Sequence, residues 1–295
     1  MSVRMPVVAG RFYAGQPERC REELDACFAE TPPSSDVAGR PWGGIVPHAG
    51  WMCSGAVAGR VVAALAAQRT PATVVIFGAV HVLMGPRAAV YVEGAWMTPL
   101  GSIAIDDRLA ERVVSADPGL FEADASPHMM EHSIEVQAPF VQRAWPETRL
   151  LPIMVPPTDR SHEVGAIVGR ACREADIDVV FLGSSDLTHY GPSYGFTPEG
   201  VGAAALRWAK DINDRRIIDL MLDMKDDAVT AEAATGRNAC GSGAIAAAIA
   251  ACREMGASQA ALLAHTTSHE VLGSRFGDPG NDAVGYAGIV FHEQG

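Results

Sequence analysis

Three histidines directly follow predicted strands. His48, His81 and His189 each come within a few residues of a short β-branched run that ends at glycine or proline. In open α/β sheets ligands bind beyond the carboxyl ends of the strands, because loops and helix N-termini converge there. Imidazole can serve there as a metal ligand or as a base near neutral pH. We therefore expect the three histidines to meet in one site.

Cys240 is a fourth candidate for chemistry. It lies in Asn238-Ala-Cys-Gly-Ser-Gly243, just before an alanine-rich helix predicted over 242–255. The positive end of that helix is expected to lower the pKa of the thiol, which favours a thiolate for metal binding or nucleophilic attack. A buried cysteine beside a helix cap is the alternative. Four other cysteines fall within helical patterns and are interpreted as core residues: Cys20, Cys27, Cys172 and Cys252.

Residues 128–132 match a short zinc-protease pattern. His128-Met-Met-Glu131-His132 reads H-x-x-E-H, which puts two imidazoles on one face of a helix. That chemistry needs a carboxylate ligand from another helix, and no downstream segment stands out as its source. We favour a role for His132, Ser133 and Glu135 in lining or bracing the mouth of a site organised elsewhere.

Strand and helix patterns alternate along the chain. The predicted strands cover 44–46, 73–77, 88–92, 150–155, 178–182, 260–264 and 284–291. The predicted helices cover 17–29, 54–68, 106–115, 128–144, 161–175, 199–210, 214–223 and 242–255, with Pro139 expected to kink the fourth. This alternation predicts an α/β fold with a largely parallel or mixed central sheet flanked by helices. Proline-rich breaks at 31–34 and 156–157 are too short for interdomain linkers, so residues 1–295 are expected to form a single domain.

Composition excludes several classes of function. A chain of 295 residues that is 48% apolar can bury a sizeable core. Its net charge of −12 argues against nucleic-acid binding, which requires a basic surface. No apolar run approaches the ~18 residues that cross a bilayer, and no secretory signal or disulfide framework is recognisable. We expect a cytoplasmic protein with reduced thiols and no nucleic-acid or membrane partner.

Taken in order, the motifs resemble those of the Memo family, also called AmmeMemoRadiSam system protein B. The matching segments run nearly end to end and cover 6–13, 47–55, 96–101, 131–140, 184–190, 240–241 and 284–287. The resemblance implies a fold like that of class III extradiol dioxygenases, which open catechol rings with non-haem Fe(II) and oxygen. By family analogy only, it also names a radical-SAM protein and an AMMECR1-domain protein as partners.

Carried over by position, the resemblance implies that His48, His81 and Cys240 bind the metal, with His189 close by and Asp186 behind it. Two imidazoles and a thiolate leave coordination positions open for substrate and oxygen. Fe(II) is the expected metal, and the soft thiolate makes zinc or copper alternatives. The chain departs from the family pattern at Ala14, at 78–81 and at 265–270, which leaves the substrate and the metal open.

Roles for the remaining residues follow from this site. His189 is expected to act as a general base, oriented by Asp186 through its other ring nitrogen. Residues expected to contact substrate are Trp51, His132, Glu135 and Tyr190. The aromatic rings among them, like those of Trp96 and Tyr194, are equally compatible with a place in the core.

Three functions stay open at this point. The first is a metal-dependent oxidoreductase acting on a small aromatic or phenolic molecule, with His189 removing a proton. The second is a metal-free hydrolase with Cys240 as nucleophile and His189 as base. The third is a noncatalytic protein that binds a metal or a peptide in the same cleft. We favour an enzyme, and the oligomeric state is left open.

Overall fold

A computed structural model describes residues 3–29 and 37–295 of the chain. The predicted connector at 31–34 lies outside these ranges. The strands are β1 Val3–Arg4, β2 Pro41–Val46, β3 Thr73–Gly78, β4 Ala88–Val90, β5 Ala95–Thr98, β6 Gly101–Ala104, β7 Phe121–Ala123, β8 Arg149–Met154, β9 Val179–Ser184, β10 His189–Tyr190, β11 Gln259–Thr267 and β12 Ala283–His292. The α-helices are α1 Pro17–Ala29, α2 Trp51–Ala66, α3 Asp107–Ala116, α4 Ala138–Ala144, α5 Ser161–Glu174, α6 Ala203–Trp208, α7 Arg215–Leu222, α8 Val229–Gly236, α9 Ser242–Glu254 and α10 Ser268–Phe276.

A nine-stranded mixed sheet forms the centre of the molecule. Its order is β10-β12-β2-β9-β3-β8-β4-β7, with β11 also paired to β12. The four central strands β2, β9, β3 and β8 run parallel, whereas β12 and β4 join them antiparallel. The predicted α/β class with a mixed central sheet flanked by helices is confirmed. A small second sheet has the order β1-β5-β6.

Helices cover both faces of the central sheet. On β3, Val75 and Phe77 belong to one core with residues of α3, α5 and α9, whereas Val74 and Ile76 belong to a second core with residues of α1, α2 and α4. Every residue of β3 is buried, as expected of a parallel strand covered on both sides. Because β2, β9 and β3 run parallel, their carboxyl ends open at one edge of the sheet. Across the described ranges, no helix has the length and apolar character needed to span a membrane.

The prediction of a single long helix over 128–144 is wrong. The segment forms two short 3₁₀ turns, Pro127–Met129 and Glu135–Gln137, before α4 begins. Carboxylates in the segment accept backbone N–H groups from elsewhere in the chain, since Glu131 accepts from His81 and Glu135 accepts from Val7 and Val8. These bonds replace helical ones, as side chain to backbone bonds often do. Pro139 lies in the first turn of α4, where its missing N–H costs nothing, so it causes no kink.

Candidate metal centre

His48 lies in the loop after β2. The contacts of its two ring nitrogens show which of them carries the proton. Nδ1 lies 3.0 Å from the Ser184 hydroxyl, and that hydroxyl donates to the Ser133 carbonyl at 2.7 Å. Ser184 can therefore only accept from the imidazole, so Nδ1 carries the proton. This leaves the lone pair of His48 on Nε2, which lies 3.2 Å from the sulfur of Cys240. Metal-binding imidazoles are held in this way by a partner on the opposite nitrogen.

His81, in the loop after β3, is held by a carboxylate. Its Nδ1 lies 3.0 Å from Oε1 of Glu131, and its backbone N–H donates to Oε2 at 2.8 Å. A carboxylate only accepts, so Nδ1 is protonated and Nε2 carries the lone pair. Burial lowers the pKa of His81, but the hydrogen bond and the charge of Glu131, together with the charge of Asp186, outweigh it, so the net pKa is raised. Burial raises the pKa of the Glu131 carboxyl, and bonds from His81 and backbone N–H groups hold it well below its ordinary range.

Cys240 completes the cluster. The ligand atoms of His48, His81 and Cys240 all lie within 4.8 Å of one another, which is close enough to hold one metal ion. Burial raises the pKa of the Cys240 thiol, and the Asp186 charge adds to this effect. The net pKa is thus raised, whereas the position before α9 predicted a lowered one, because burial removes water from the thiolate. A cation bound to the sulfur would reverse the balance, since a coordinating thiol is deprotonated.

His132 lies beside the two histidines. Its ring stacks on His81 with centroids 5.0 Å apart and meets His48 edge-on at 5.4 Å. Burial lowers the pKa of His132. His81, Glu131 and His132 also bring ligand atoms within 4.8 Å of one another. Because Glu131 already accepts three backbone N–H groups and the His81 imidazole, we interpret it as orienting His81 rather than binding a metal.

His128 lies apart from this cluster. It is fully buried, its Nε2 lies 3.0 Å from the Ala89 carbonyl, and its ring meets Tyr91 and Trp96 edge-on. Burial lowers the pKa of His128 to about 4. His128 and His132 do not share a helical face, because the helix that would align them is absent. The zinc-protease alternative for residues 128–132 therefore has no structural basis.

His189 follows β9 and lies on β10. Its Nδ1 lies 3.0 Å from the Leu187 carbonyl, which fixes the proton there and leaves the Nε2 lone pair free to accept one. The prediction that Asp186 binds the other ring nitrogen of His189 is wrong. Asp186 instead accepts the backbone N–H groups of His48 at 2.7 Å and Ala49 at 3.3 Å through Oδ1. Asp186 thus holds the loop that carries His48.

A cavity of about 380 Å³ lies beside the cluster. Its wall includes Phe12, His132, Asp186, His189, Tyr194 and Tyr286. The ligand residues themselves are not part of this wall. They contact it through His132, which stacks on His81, and through Asp186, which binds the His48 backbone. A small molecule in the cavity would therefore lie next to the cluster and to the free nitrogen of His189.

Two of the aromatic residues expected to contact substrate lie in the core. The indole N–H of Trp51 donates to the Val136 carbonyl at 3.1 Å, and its ring stacks on Tyr13. Tyr190 is fully buried and its hydroxyl donates to the Gly200 carbonyl at 2.9 Å. These contacts favour the core alternative for both rings. Tyr194, by contrast, lines the cavity and meets His189 edge-on at 5.2 Å.

Glu135 braces the site from behind. Its buried carboxylate pairs with Arg4 at 2.8 Å, accepts the backbone N–H groups of Val7 and Val8, and accepts the hydroxyl of Tyr13. These contacts favour bracing over lining the mouth of the site, and Glu135, which was also expected to contact substrate, does not belong to the cavity wall. The supporting roles of Ser184 and Glu131 were missed by sequence reasoning. The serine that ends β9 and the glutamate one residue before His132 were the available signals.

Fold and site together define the class: an α/β protein with a candidate His–His–Cys metal centre at the carboxyl edge of its sheet. The family model for Memo-like proteins matches residues 4–290. A MEMO1 family protein of Thermococcus onnurineus is 37% identical over 299 residues, spanning 99% of this chain and 100% of that protein. Another from Methanopyrus kandleri is 36% identical over 299 residues, spanning 98% of each. The chain therefore belongs to the Memo family, as its motifs indicate.

One solved structure gives a weaker likeness. An uncharacterized protein of Escherichia coli K12 aligns with a TM-score of 0.46 at 12% identity, over 74% of this chain and 87% of that one. At this TM-score the likeness adds nothing to the family assignment.

Proposed function

We propose that this protein is a metal-dependent oxidoreductase that acts on a small aromatic or phenolic molecule, with chemistry like that of non-haem iron dioxygenases. His48, His81 and Cys240 hold the metal, and His189 is the general base. The observation that carries the proposal is the orientation of the two imidazoles. Both place their protons on Nδ1, against Ser184 and Glu131, and so offer Nε2 lone pairs within 4.8 Å of the same thiol.

The donor set fits Fe(II), with zinc and copper as alternatives. Two neutral imidazoles and one thiolate are three ligands, a number that leaves positions open for substrate and a second reactant. When bound, Fe(II) would supply redox chemistry toward oxygen and Lewis acidity toward a phenolic oxygen. Glu131 and Ser184 keep both rings in the tautomer that binds metal.

The other residues of the site bind the substrate and move its proton. His189 accepts the proton of a phenolic hydroxyl at Nε2 while its Nδ1–H stays bound to Leu187. A well-placed base of this kind contributes about 10²–10⁴ in rate. The rings of Phe12 and Tyr194 form apolar walls on which an aromatic substrate packs. Asp186 holds the His48 loop in place during this transfer.

The metal-free cysteine hydrolase has one supporting observation, the 3.2 Å contact between the sulfur of Cys240 and Nε2 of His48. A thiolate–imidazolium pair would require the opposite ionisation of both groups. Burial raises the pKa of Cys240 and lowers the pKa of His48, so the neutral pair is favoured. The observed base partner is also His48 rather than His189. We therefore place this function second.

Oxygen uptake tests the proposal directly. The protein is loaded anaerobically with Fe(II), and uptake is followed over a panel of phenols and catechols. We expect uptake with at least one substrate, and a fall of 10²-fold or more in H189Q with its iron content unchanged. H162Q is the matched control, because His162 lies on α5 and makes none of the site contacts. No uptake by fully loaded protein across the panel contradicts the oxidoreductase and leaves the hydrolase and the noncatalytic metal-binding protein.

Alkylation separates the metal site from the hydrolase. If Cys240 binds a metal, iodoacetamide should modify it slowly in the loaded protein and faster once a chelator is added. Mass spectrometry of the peptide that contains Cys240 measures the rate. Rapid alkylation that is the same with and without chelator would favour the hydrolase.

A further inference from the structure

The cavity beside the cluster is acidic. Two carboxylates, Asp186 and Asp282, belong to its wall, whereas no lysine or arginine among the residues of the described chain does. Arg275 of α10 lines a neighbouring cavity that shares Cys53 with this one. A ligand in the cavity beside the cluster therefore meets negative charge and imidazoles, without a basic side chain to receive an anion.

Asp186 has one oxygen available to a ligand. The residue is only 4% exposed, and Oδ1 accepts the backbone N–H groups of both His48 and Ala49. Within residues 3–29 and 37–295, Oδ2 accepts no hydrogen bond. The carboxylates differ in this respect, because both oxygens of Asp282 are bound by Ser193. A buried carboxylate with an unused oxygen carries a desolvation cost that a cation on that oxygen would offset.

Aromatic rings form the other walls of this cavity. Phe12, Tyr194 and Tyr286 all line it. The negative faces of aromatic rings attract cations, most strongly where water is excluded. Carboxylate and rings together make up the usual chemistry of a small-molecule ammonium site.

We propose that this cavity selects an amine-bearing aromatic substrate, whose ammonium group binds Oδ2 of Asp186 and whose ring packs between Phe12 and Tyr194. Phenols that carry a carboxylate are disfavoured, because their charge would meet Asp186 and Asp282 without a basic partner. The inference rests on the proposed function for the identity of the site. It goes further by naming the charge of the substrate.

Isothermal titration with three phenols of similar size tests the selection. Tyramine is cationic at pH 7, para-ethylphenol is neutral and para-hydroxyphenylacetate is anionic. On protein loaded anaerobically with Fe(II), we expect tyramine to bind about tenfold more tightly than para-ethylphenol, as a charged hydrogen bond provides. The anion should bind more weakly than either. Equal affinities, tighter binding of the anion, or no binding of any probe would overturn the inference.

D186N removes the charge and preserves the shape. Its remaining amide oxygen can still accept the N–H groups of His48 and Ala49, so the loop is retained. We expect the advantage of tyramine over para-ethylphenol to disappear in D186N when both proteins are compared at equal iron loading. E147Q removes one exposed carboxylate outside the site and should keep the advantage. An advantage that survives in D186N would overturn the role of Asp186.

A replacement test covers a D186N variant that does not fold, and two outcomes distinguish failure of the inference from failure of the proposed function. If D186N does not fold, tyrosol replaces it as the test: this neutral phenol has the length of tyramine with a hydroxyl in place of the ammonium, so tyramine should bind more tightly, and equal affinities would overturn the inference. Oxygen uptake without the charge ranking contradicts the inference alone. The ranking without oxygen uptake supports the inference and contradicts the proposed oxidoreductase.

Discussion

His128 should make the stability of the protein depend on pH below neutrality. The side chain is fully buried, and its pKa is lowered by burial from 6.5 to about 4. The unfolded chain keeps the ordinary value, so it binds a proton that the folded protein refuses as the pH falls from 6.5 to 4. The contribution of His128 to the free energy of unfolding is therefore fully present above pH 6.5 and is lost as the pH falls toward 4. At ~1.4 kcal/mol per pH unit, the loss between pH 7 and pH 4.5 is about 2 kcal/mol.

H128Q isolates this contribution. A glutamine amide can replace Nε2 as the donor to the Ala89 carbonyl, but it does not titrate. Urea unfolding at pH 7 and at pH 4.5 gives the free energy of unfolding of both proteins. We expect the wild type to lose about 2 kcal/mol more than H128Q between the two pH values. Equal losses would refute the assignment of His128 as a neutral core histidine.

Three further substitutions test buried carboxylates. E131Q should weaken metal binding about 10–100-fold in chelator competition, because it weakens the bond that orients His81, and unchanged affinity would contradict that role. E135Q should cost about 3–5 kcal/mol in urea unfolding, since it leaves Arg4 charged and buried, and a neutral effect would argue against bracing. D214N should cost about 1–3 kcal/mol because Asp214 binds both His265 and the backbone of Thr188; a change below 0.5 kcal/mol would contradict this.

The central strands could be predicted because their residue types, their burial and the loops that follow them all indicate parallel strands. In β3 and β9, short β-branched runs are buried on both faces and end in polar loops, as expected for parallel strands. The convergence of His48, His81 and Cys240 follows from this topology. It places the ends of β2, β3 and β9 side by side, and the start of α9 next to them.

The segment 128–144 could not be predicted from its periodicity. Its backbone is organised by Glu131 and Glu135, which bind partners up to 128 residues away in the chain. The residues between Trp208 and Arg215 show the same limit. They form a π-helix that places Asp214 against Thr188, and helical periodicity alone does not distinguish it from an α-helix.

The electrostatics of the site depend on burial, which the sequence does not give. The position of Cys240 before α9 favours a low thiol pKa, yet burial and Asp186 raise it. Similarly, Asp186 and His189 are only three positions apart in the sequence, but the carboxylate turns toward the His48 backbone. Both outcomes were decided by packing around the sulfur and the carboxylate.

X-ray absorption at the iron edge tests the central claim most directly, using protein loaded anaerobically with Fe(II) and its C240S variant. If His48, His81 and Cys240 hold the metal, the wild-type ion has one sulfur and at least two imidazole nitrogens among its nearest neighbours. In C240S the sulfur contribution should vanish while the imidazoles remain. A wild-type ion without sulfur, or a sulfur contribution that C240S leaves unchanged, would contradict the proposed metal centre.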